Sequence, residues 1–253
     1  MDYIDNLLIN FLGRIGDIAN MEGVNQELIE IFKNNLITIE TDIKATGQFG
    51  GLLKKIETQK KVLDEVKFLP QLKPKYEILR EQSVVLMVGV FEVFISDIFR
   101  EIANHDPGYF VWPEKDKKIS IGIESFTPTF TLGDAIIAHL ANKQFSFQDL
   151  KSILRATKDY LGVEFDVPDD IRKNIIFGTS CRHIIVHNIS IVDRQFLLQT
   201  RELKNLNYKE GNKIELEDND IKNIKGAITS FADELVQLLQ QRYEEFEKGK
   251  GKI

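Results

Sequence analysis

The sequence predicts an all-α protein, a helical bundle, and three observations support that fold class. Apolar residues recur three and four positions apart over most of the chain, which is the spacing of one face of an α-helix. Glycine and proline are sparse, with 16 and 6 among 253 residues, and this favours long helices over frequent turns. The apolar content of 43% and the charged content of 28% are ordinary for a globular protein.

Residues 1–73 are expected to form an N-terminal helical extension. Apolar residues at helical spacing predict a first helix over residues 4–18 and a second helix after Asn25. Three glycines within residues 47–51 end that pattern, and a lysine-rich helix follows them. Two prolines within residues 70–74 then mark the boundary to a second domain.

The second domain, residues 74–253, is expected to be a helical bundle that opens with the longest helix of the chain. This helix is predicted over residues 76–102, and its middle is apolar almost all round, so most of its sides should be buried. Residues 104–132 hold three prolines and scattered lysines. We therefore expect an irregular loop there, with one short strand over the alternating residues 118–123.

The later helices carry recognisable start signals. They are predicted over residues 133–140, 147–161, 169–188, 193–200 and 221–238. An aspartate at 169–170 is expected to cap the helix that starts there, and Asp193 should cap the helix that follows. Residues 208–214 predict a turn or a small β-hairpin. The last helix has a seam of apolar residues that suits packing on another helix, in this chain or in a partner.

Composition narrows the class of protein. The net charge of −6 opposes indiscriminate coating of nucleic acid, although a local basic groove stays possible in principle. The single cysteine, Cys181, excludes an internal disulfide and suits a reducing compartment. The acidic N-terminus lacks the basic region of a signal peptide, and the longest apolar run, residues 84–91, is short for a membrane span. We expect a soluble cytoplasmic protein with no membrane partner.

The most informative segment is residues 181–188, which place Arg182, His183 and His187 among apolar neighbours. An imidazole titrates near neutral pH and can take and return a proton, and a guanidinium can hold a phosphate through two hydrogen bonds. Arg182 and His187 are separated by about 140° around a helix, so a dimer or a kink would be needed to bring them to one phosphate. The alternative is an arginine in an ion pair and a histidine at the helix C-terminus, where a cation is favoured.

Two further features bear on this segment. Glu92 lies inside the apolar helix, where a carboxylate must find a partner or raise its pKa. It either lines the site and holds Arg182 or His187, or forms a structural salt bridge with Arg100 or with another helix. His183 and His187 also have a spacing that can ligate zinc, but zinc needs further ligands, so we expect no metal and no cofactor.

The run from Arg182 to Leu197 resembles the HEPN superfamily, in particular the RiboL-PSP and related families of prokaryotic defence and toxin loci. Arg182-His183-x-x-x-His187 is similar to the superfamily motif, in which four to six residues separate an arginine from a histidine and a polar residue commonly follows the arginine. The apolar residues 90–100 are similar to the upstream helix of these proteins. The resemblance covers roughly residues 76–245 and leaves the N-terminal extension outside.

This resemblance implies a bundle that dimerises, places two motifs at the interface and acts as a metal-independent endoribonuclease. Arg182 would bind and stabilise the scissile phosphate, and His187 would be the general acid or base at the ribose 2′-hydroxyl or the leaving 5′-oxygen. The products would carry 2′,3′-cyclic phosphate and 5′-hydroxyl ends. His183 would orient the substrate or support Arg182, and Asn188 would bond the phosphate or cap the helix.

The resemblance also implies the setting of a toxin or an antiphage defence effector, with RNA as substrate and an antitoxin or sensor protein as a further partner. Some members carry a tyrosine two residues after the histidine. Ile189 stands there in this chain, so regulation through that tyrosine is not expected. Between Ile171 and Tyr208 there are six basic and two acidic residues, which supports a phosphate-binding surface and makes Arg194 a candidate supporting residue.

Two functions without catalysis stay open at this point. The first is a HEPN-like module that binds RNA, a nucleotide or a protein partner and cleaves nothing. The second is a structural adaptor whose last helix recruits another helix, with Arg182 and His187 packed for stability alone.

Overall fold

The computed structural model describes residues 1–21, 23–46, 50–65, 73–113, 130–203 and 208–250. These residues form nine α-helices and no β-strand ladder, so the predicted all-α fold class is confirmed. The helices are α1 (Asp2–Ala19), α2 (Gly23–Thr46), α3 (Gly50–Glu65), α4 (Lys73–His105), α5 (Leu132–Asn142), α6 (Leu150–Ala156), α7 (Asp169–His187), α8 (Arg194–Thr200) and α9 (Asp218–Lys250). The predicted strand at 118–123 lies outside the described residues.

The long helix α4 is the centre of the bundle. It packs against α1, α5, α7 and α9, which explains why its sequence is apolar on nearly every side. Its buried apolar and aromatic side chains are Tyr76, Val84, Met87, Val88, Phe91, Phe94, Ile95, Ile98, Phe99, Ile102 and Ala103. The few polar groups on this helix are therefore held close to other elements, and they need partners there.

Helix α4 is also long and apolar enough to cross a membrane by length and composition: an 18-residue window within Tyr76–His105 has a mean hydropathy of 1.8. No uninterrupted apolar run marks this span in the sequence, because Glu92 and Asp97 interrupt it. Half of the tested window is buried inside the protein, as in the core helix of a bundle.

Helix α1 belongs to the same hydrophobic core as α4 and α9. Its residues Ile4, Phe11 and Ile15 are buried, and the ring of Phe11 stacks on that of Phe94 with 4.4 Å between centroids. The predicted boundary after residue 73 falls at the first residue of α4 and stays a prediction. The packing of α1 nevertheless ties the first helix of the predicted extension to the second domain.

The segment after α7 pairs with the turn before α9. Ile191 and Lys213 form an isolated antiparallel bridge, and the Ile214 N–H donates to the Ser190 carbonyl at 2.8 Å. Gly211 has a φ of +85°, which glycine adopts without a Cβ clash. The predicted turn is therefore present, but the predicted hairpin is wrong because this segment pairs with the chain that follows α7.

The two predicted aspartate caps have different outcomes. Asp193 caps α8, since its Oδ1 accepts a hydrogen bond from the Phe196 N–H at 2.7 Å. The cap predicted for α7 is wrong. Pro168 takes the N-cap position without a side-chain hydrogen bond. Asp169 and Asp170 lie inside the first turn, where the helix dipole stabilises negative charges.

Candidate functional site

Helix α7 packs against both α9 and α4 at Gly178. A Cβ at Gly178 would stand 3.0 Å from Ile224 Cγ2 and 3.5 Å from Val88 Cγ2. Four residues further along α4 and α7, Arg182 Nη1 lies 3.2 Å from Glu92 Oε1. The two helices therefore run in the same direction, and their close packing brings these two charged side chains together.

The Arg182–Glu92 ion pair is largely shielded from solvent. The arginine side chain is 24% exposed and the carboxylate side chain 14%. Arg182 Nε is buried and has no hydrogen-bond partner among the described residues. The sequence left several partners open for Glu92, and in the structure its partner is Arg182. Arg100, the other named candidate, pairs with Asp97 and Asp134 instead.

Burial raises the pKa of the Glu92 carboxyl above its usual value, because the ionised form loses hydration. The positive charge of Arg182 and a hydrogen bond with Gln148 oppose this rise. Sequence analysis missed Gln148, which lies between α5 and α6. No local pattern marks it, since its position beside α4 depends on the packing of α5 and α6.

The two histidines lie together on the exposed end of α7. The ring centroids of His183 and His187 are 5.0 Å apart, with 51° between the ring planes, and both side chains are exposed. Arg182 precedes them on the adjacent side of the helix. The arrangement combines two imidazoles, which can accept and donate protons, with a fixed cation that can hold an anion.

A strained turn ends the helix. The Asn188 N–H donates to the Ile184 carbonyl at 2.9 Å, and its side-chain Nδ2 donates to the Ile191 carbonyl at 2.7 Å. Asn188 thus caps the C-terminus of α7. Phosphate binding by this residue stays a prediction. Ile189 and Ser190 follow with φ of +51° and +63°, a region that β-branched residues such as isoleucine rarely enter.

The remaining candidates do not join this cluster through any contact in the described part of the chain. Arg194 is exposed in the first turn of α8. Cys181 is fully buried, and burial raises the pKa of its thiol, which makes it a core residue rather than a nucleophile. Within the described ranges, no group of three or more His, Cys, Asp or Glu residues is placed to hold a metal ion.

Comparison of the chain with protein-family models, curated proteins and solved structures finds no match. The site therefore has to be interpreted from its own geometry. That geometry defines an all-α bundle whose α7 carries an arginine in an ion pair with the central helix and two exposed histidines.

The ion pair predicts a pH-dependent loss of stability in Arg182→Ala. Glu92 would then be a shielded carboxylate without its cation, and the free energy of unfolding should fall by about 1–3 kcal/mol at pH 7. Because the folded-state pKa of Glu92 lies above the unfolded value, the folded protein binds this proton more tightly. The loss should therefore shrink as the pH falls through that raised pKa.

Urea unfolding of Arg182→Ala between pH 7 and pH 4.5 measures this effect, and 4.5 is the ordinary carboxyl value. The matched control is Arg182→Ala/Glu92→Gln, which has no carboxyl to titrate at this position. The interpretation fails when the single and double variants lose the same stability at every pH.

Proposed function

We propose that this protein is a metal-independent endoribonuclease of the HEPN type, acting as a toxin or antiphage defence effector. One observation carries the proposal: Arg182, His183 and His187 lie together at the C-terminal end of α7, and both imidazoles are exposed to solvent. A structural role alone gives no reason for two adjacent exposed histidines beside a shielded arginine. The resemblance of residues 182–197 to that superfamily supports the same proposal.

The proposed reaction is an internal transfer of the phosphoryl group. The ribose 2′-oxygen attacks phosphorus and its proton passes to an imidazole, the bond from phosphorus to the 5′-oxygen breaks, and the 5′-oxygen takes a proton from an imidazolium. The products are a 2′,3′-cyclic phosphate and a 5′-hydroxyl. His187 is the general acid or base, and Arg182 stabilises the charge that builds on the phosphate oxygens. His183, beside His187, orients the substrate.

The proposal includes a homodimer in which both chains contribute to a composite site. Exposed apolar side chains flank the ion pair on both helices: Leu86 and Val93 on α4 are 43% and 51% exposed, and Val186 on α7 is 50% exposed. Ile189 in the following turn is 85% exposed. Gly89 lies between the two α4 residues with open space beside it, so a second helix can approach closely. Apolar surface of this kind typically marks an interface.

Val93→Glu should therefore weaken the dimer. In a dimer with two-fold symmetry each chain contributes the substituted residue, so two negative charges are placed in the apolar contact. The dimer dissociation constant should therefore rise at least about a hundredfold. Sedimentation equilibrium measures that constant. Ile9→Glu is the matched control, because Ile9 is 66% exposed on the outer side of α1, away from the face formed by α4 and α7. Equal dimerisation of Val93→Glu and wild type would show that this face is not the interface.

The test of the proposed activity is RNA cleavage by the purified protein in EDTA, with the chemical ends of the products identified. Cyclic-phosphate and 5′-hydroxyl ends formed without metal support the ribonuclease. Intact RNA after incubation with the dimer counts against it.

A non-catalytic module is the second candidate, and the Arg182–Glu92 pair is the observation that favours it. The carboxylate neutralises the guanidinium within one chain, so a phosphate must share or displace that partner. This candidate predicts saturable binding of RNA that survives His187→Ala without any cleavage.

A further inference from the structure

A cleft of about 800 Å³ lies between the start of α6, one face of α7 and α8. Its volume is within the range of roughly 300–1,000 Å³ that is usual for sites of small ligands. Leu150, Leu154 and Ile176, which are buried or half-buried, supply an apolar wall. Most of the other lining groups are polar or charged, so the cleft suits a ligand with a flat apolar part and a charged part.

The lining face of α7 leads directly to the two histidines. Arg172, Ile176 and Thr179 line the cleft, and His183 continues the same spacing of four, three and four residues. Residues with this spacing lie on one side of a helix, and four residues advance about 6 Å along its axis. A ligand in the cleft is therefore about one helical turn from His183 and about two turns from His187.

A second connection runs through Gln148, which lines the cleft and lies close enough to Glu92 to lower the pKa of its carboxyl. Glu92 is the partner of Arg182. The cleft thus adjoins the cluster from two directions, along α7 and through the residues between α5 and α6.

The charges of the cleft suit a phosphate backbone. Lys151, Arg172 and Arg201 line it together with two carboxylates, Asp149 and Glu202. Asp149 is already engaged as the cap of α6, where it accepts from the N–H groups of the first turn. The lining has three cations against two carboxylates, in a protein with a net charge of −6. Arg201 lies 4.0 Å from Glu202 and Arg172 lies 4.0 Å from Asp166, and these long, exposed contacts are weak enough for a phosphate to replace.

Three side-chain amides supply the groups that recognise a base. Gln148, Gln195 and Gln199 all line the cleft. Ser180 Oγ donates to Gln199 Oε1 at 3.0 Å, which orients that amide. Amides hold both a donor and an acceptor, which is what the edge of an unpaired base presents.

We propose that this cleft binds the nucleotide next to the scissile phosphate of single-stranded RNA and selects its base. The inference rests on the proposed function, since it names part of the substrate of the same site. The apolar wall covers one face of the base, the amides contact its edge, and the cations hold the adjoining phosphates.

Binding of short 2′-O-methyl oligonucleotides of A, C, G and U, measured by fluorescence anisotropy, tests the proposal. These probes lack the attacking hydroxyl, so binding is measured without cleavage. The wild type should bind one of the four at least about tenfold more tightly than the others, and Gln195→Ala should lose this preference. Lys151→Glu should weaken all four by about tenfold. Lys222→Glu, an exposed lysine outside the cleft, is the charge-matched control and should bind as the wild type does.

Equal affinity of the wild type for all four probes, or wild-type binding by both cleft variants, would overturn the proposal. Cleavage of natural RNA is measured separately. If the wild type cleaves RNA and the cleft variants bind the probes as the wild type does, the cleft proposal is wrong and the proposed ribonuclease activity stands. If the cleft variants bind the probes more weakly but the wild type cleaves no RNA, the proposed ribonuclease activity is wrong and the cleft is an RNA-binding site.

Discussion

His187→Ala and Arg182→Ala are each expected to abolish RNA cleavage. Loss of a general acid or base typically lowers a rate by roughly 10²–10⁴-fold. Loss of one group that stabilises the transition-state charge costs roughly 10²–10³-fold. The rate of cleavage in EDTA at fixed RNA concentration is the measurement, and the dimer must persist in each variant.

The two variants need different controls. The His187 side chain is exposed, so His187→Ala should unfold at the wild-type temperature. His105→Ala removes another exposed histidine, at the far end of α4, and should keep full activity. Arg182→Ala leaves Glu92 without its cation, so its loss of activity is compared with that of Arg182→Ala/Glu92→Gln. Wild-type cleavage by His187→Ala would remove this residue from the mechanism.

Mixing the two inactive variants tests whether the site is composite. In a mixed dimer, one site would combine the intact arginine of one chain with the intact histidine of the other. Random mixing should restore roughly a quarter of the wild-type activity, because half of the dimers are mixed and each keeps one of two sites. No restoration would mean that Arg182 and His187 act within one chain.

Gly133→Ala should have a large effect on stability. Gly133 begins α5 against α4, and its N–H donates to Asn104 Oδ1 at 2.7 Å. A Cβ there would stand 2.6 Å from the Arg100 carbonyl oxygen and would overlap Arg100 Cγ. A side chain can turn away, but the carbonyl belongs to α4 and cannot move without displacing the helix. The free energy of unfolding should fall by about 1–3 kcal/mol, and the Tm by roughly 2–4 °C for each kcal/mol.

Gly226→Ala is the matched control for this substitution. Gly226 is an exposed residue in α9, and a Cβ there meets nothing within 4 Å. Alanine is the better helix former by about 0.5–1 kcal/mol, so this variant should be more stable than the wild type. Chemical denaturation of both variants measures the contrast. A Gly133→Ala protein as stable as the wild type would show that α5 is not packed tightly on α4.

The fold class and the helix that carries the cluster could be predicted because both depend on short-range patterns. The three-four spacing of apolar residues identifies α4, α7 and α9, and the Asp193 cap depends on a residue only three positions away. The failed predictions have a different origin. The segment 208–214 pairs with residues some twenty positions earlier, and Pro168 displaced the expected aspartate cap.

The sequence by itself determined that this chain is all-α and that Arg182, His183 and His187 share one helix, because helical period and turn chemistry are local properties. Only the tertiary structure decided that Glu92 pairs with Arg182, that Gln148 lies beside Glu92, and that the cleft adjoins the histidines. These contacts join residues distant in the chain. Their geometry is set by how closely helices approach, and that depends on packing across the whole core.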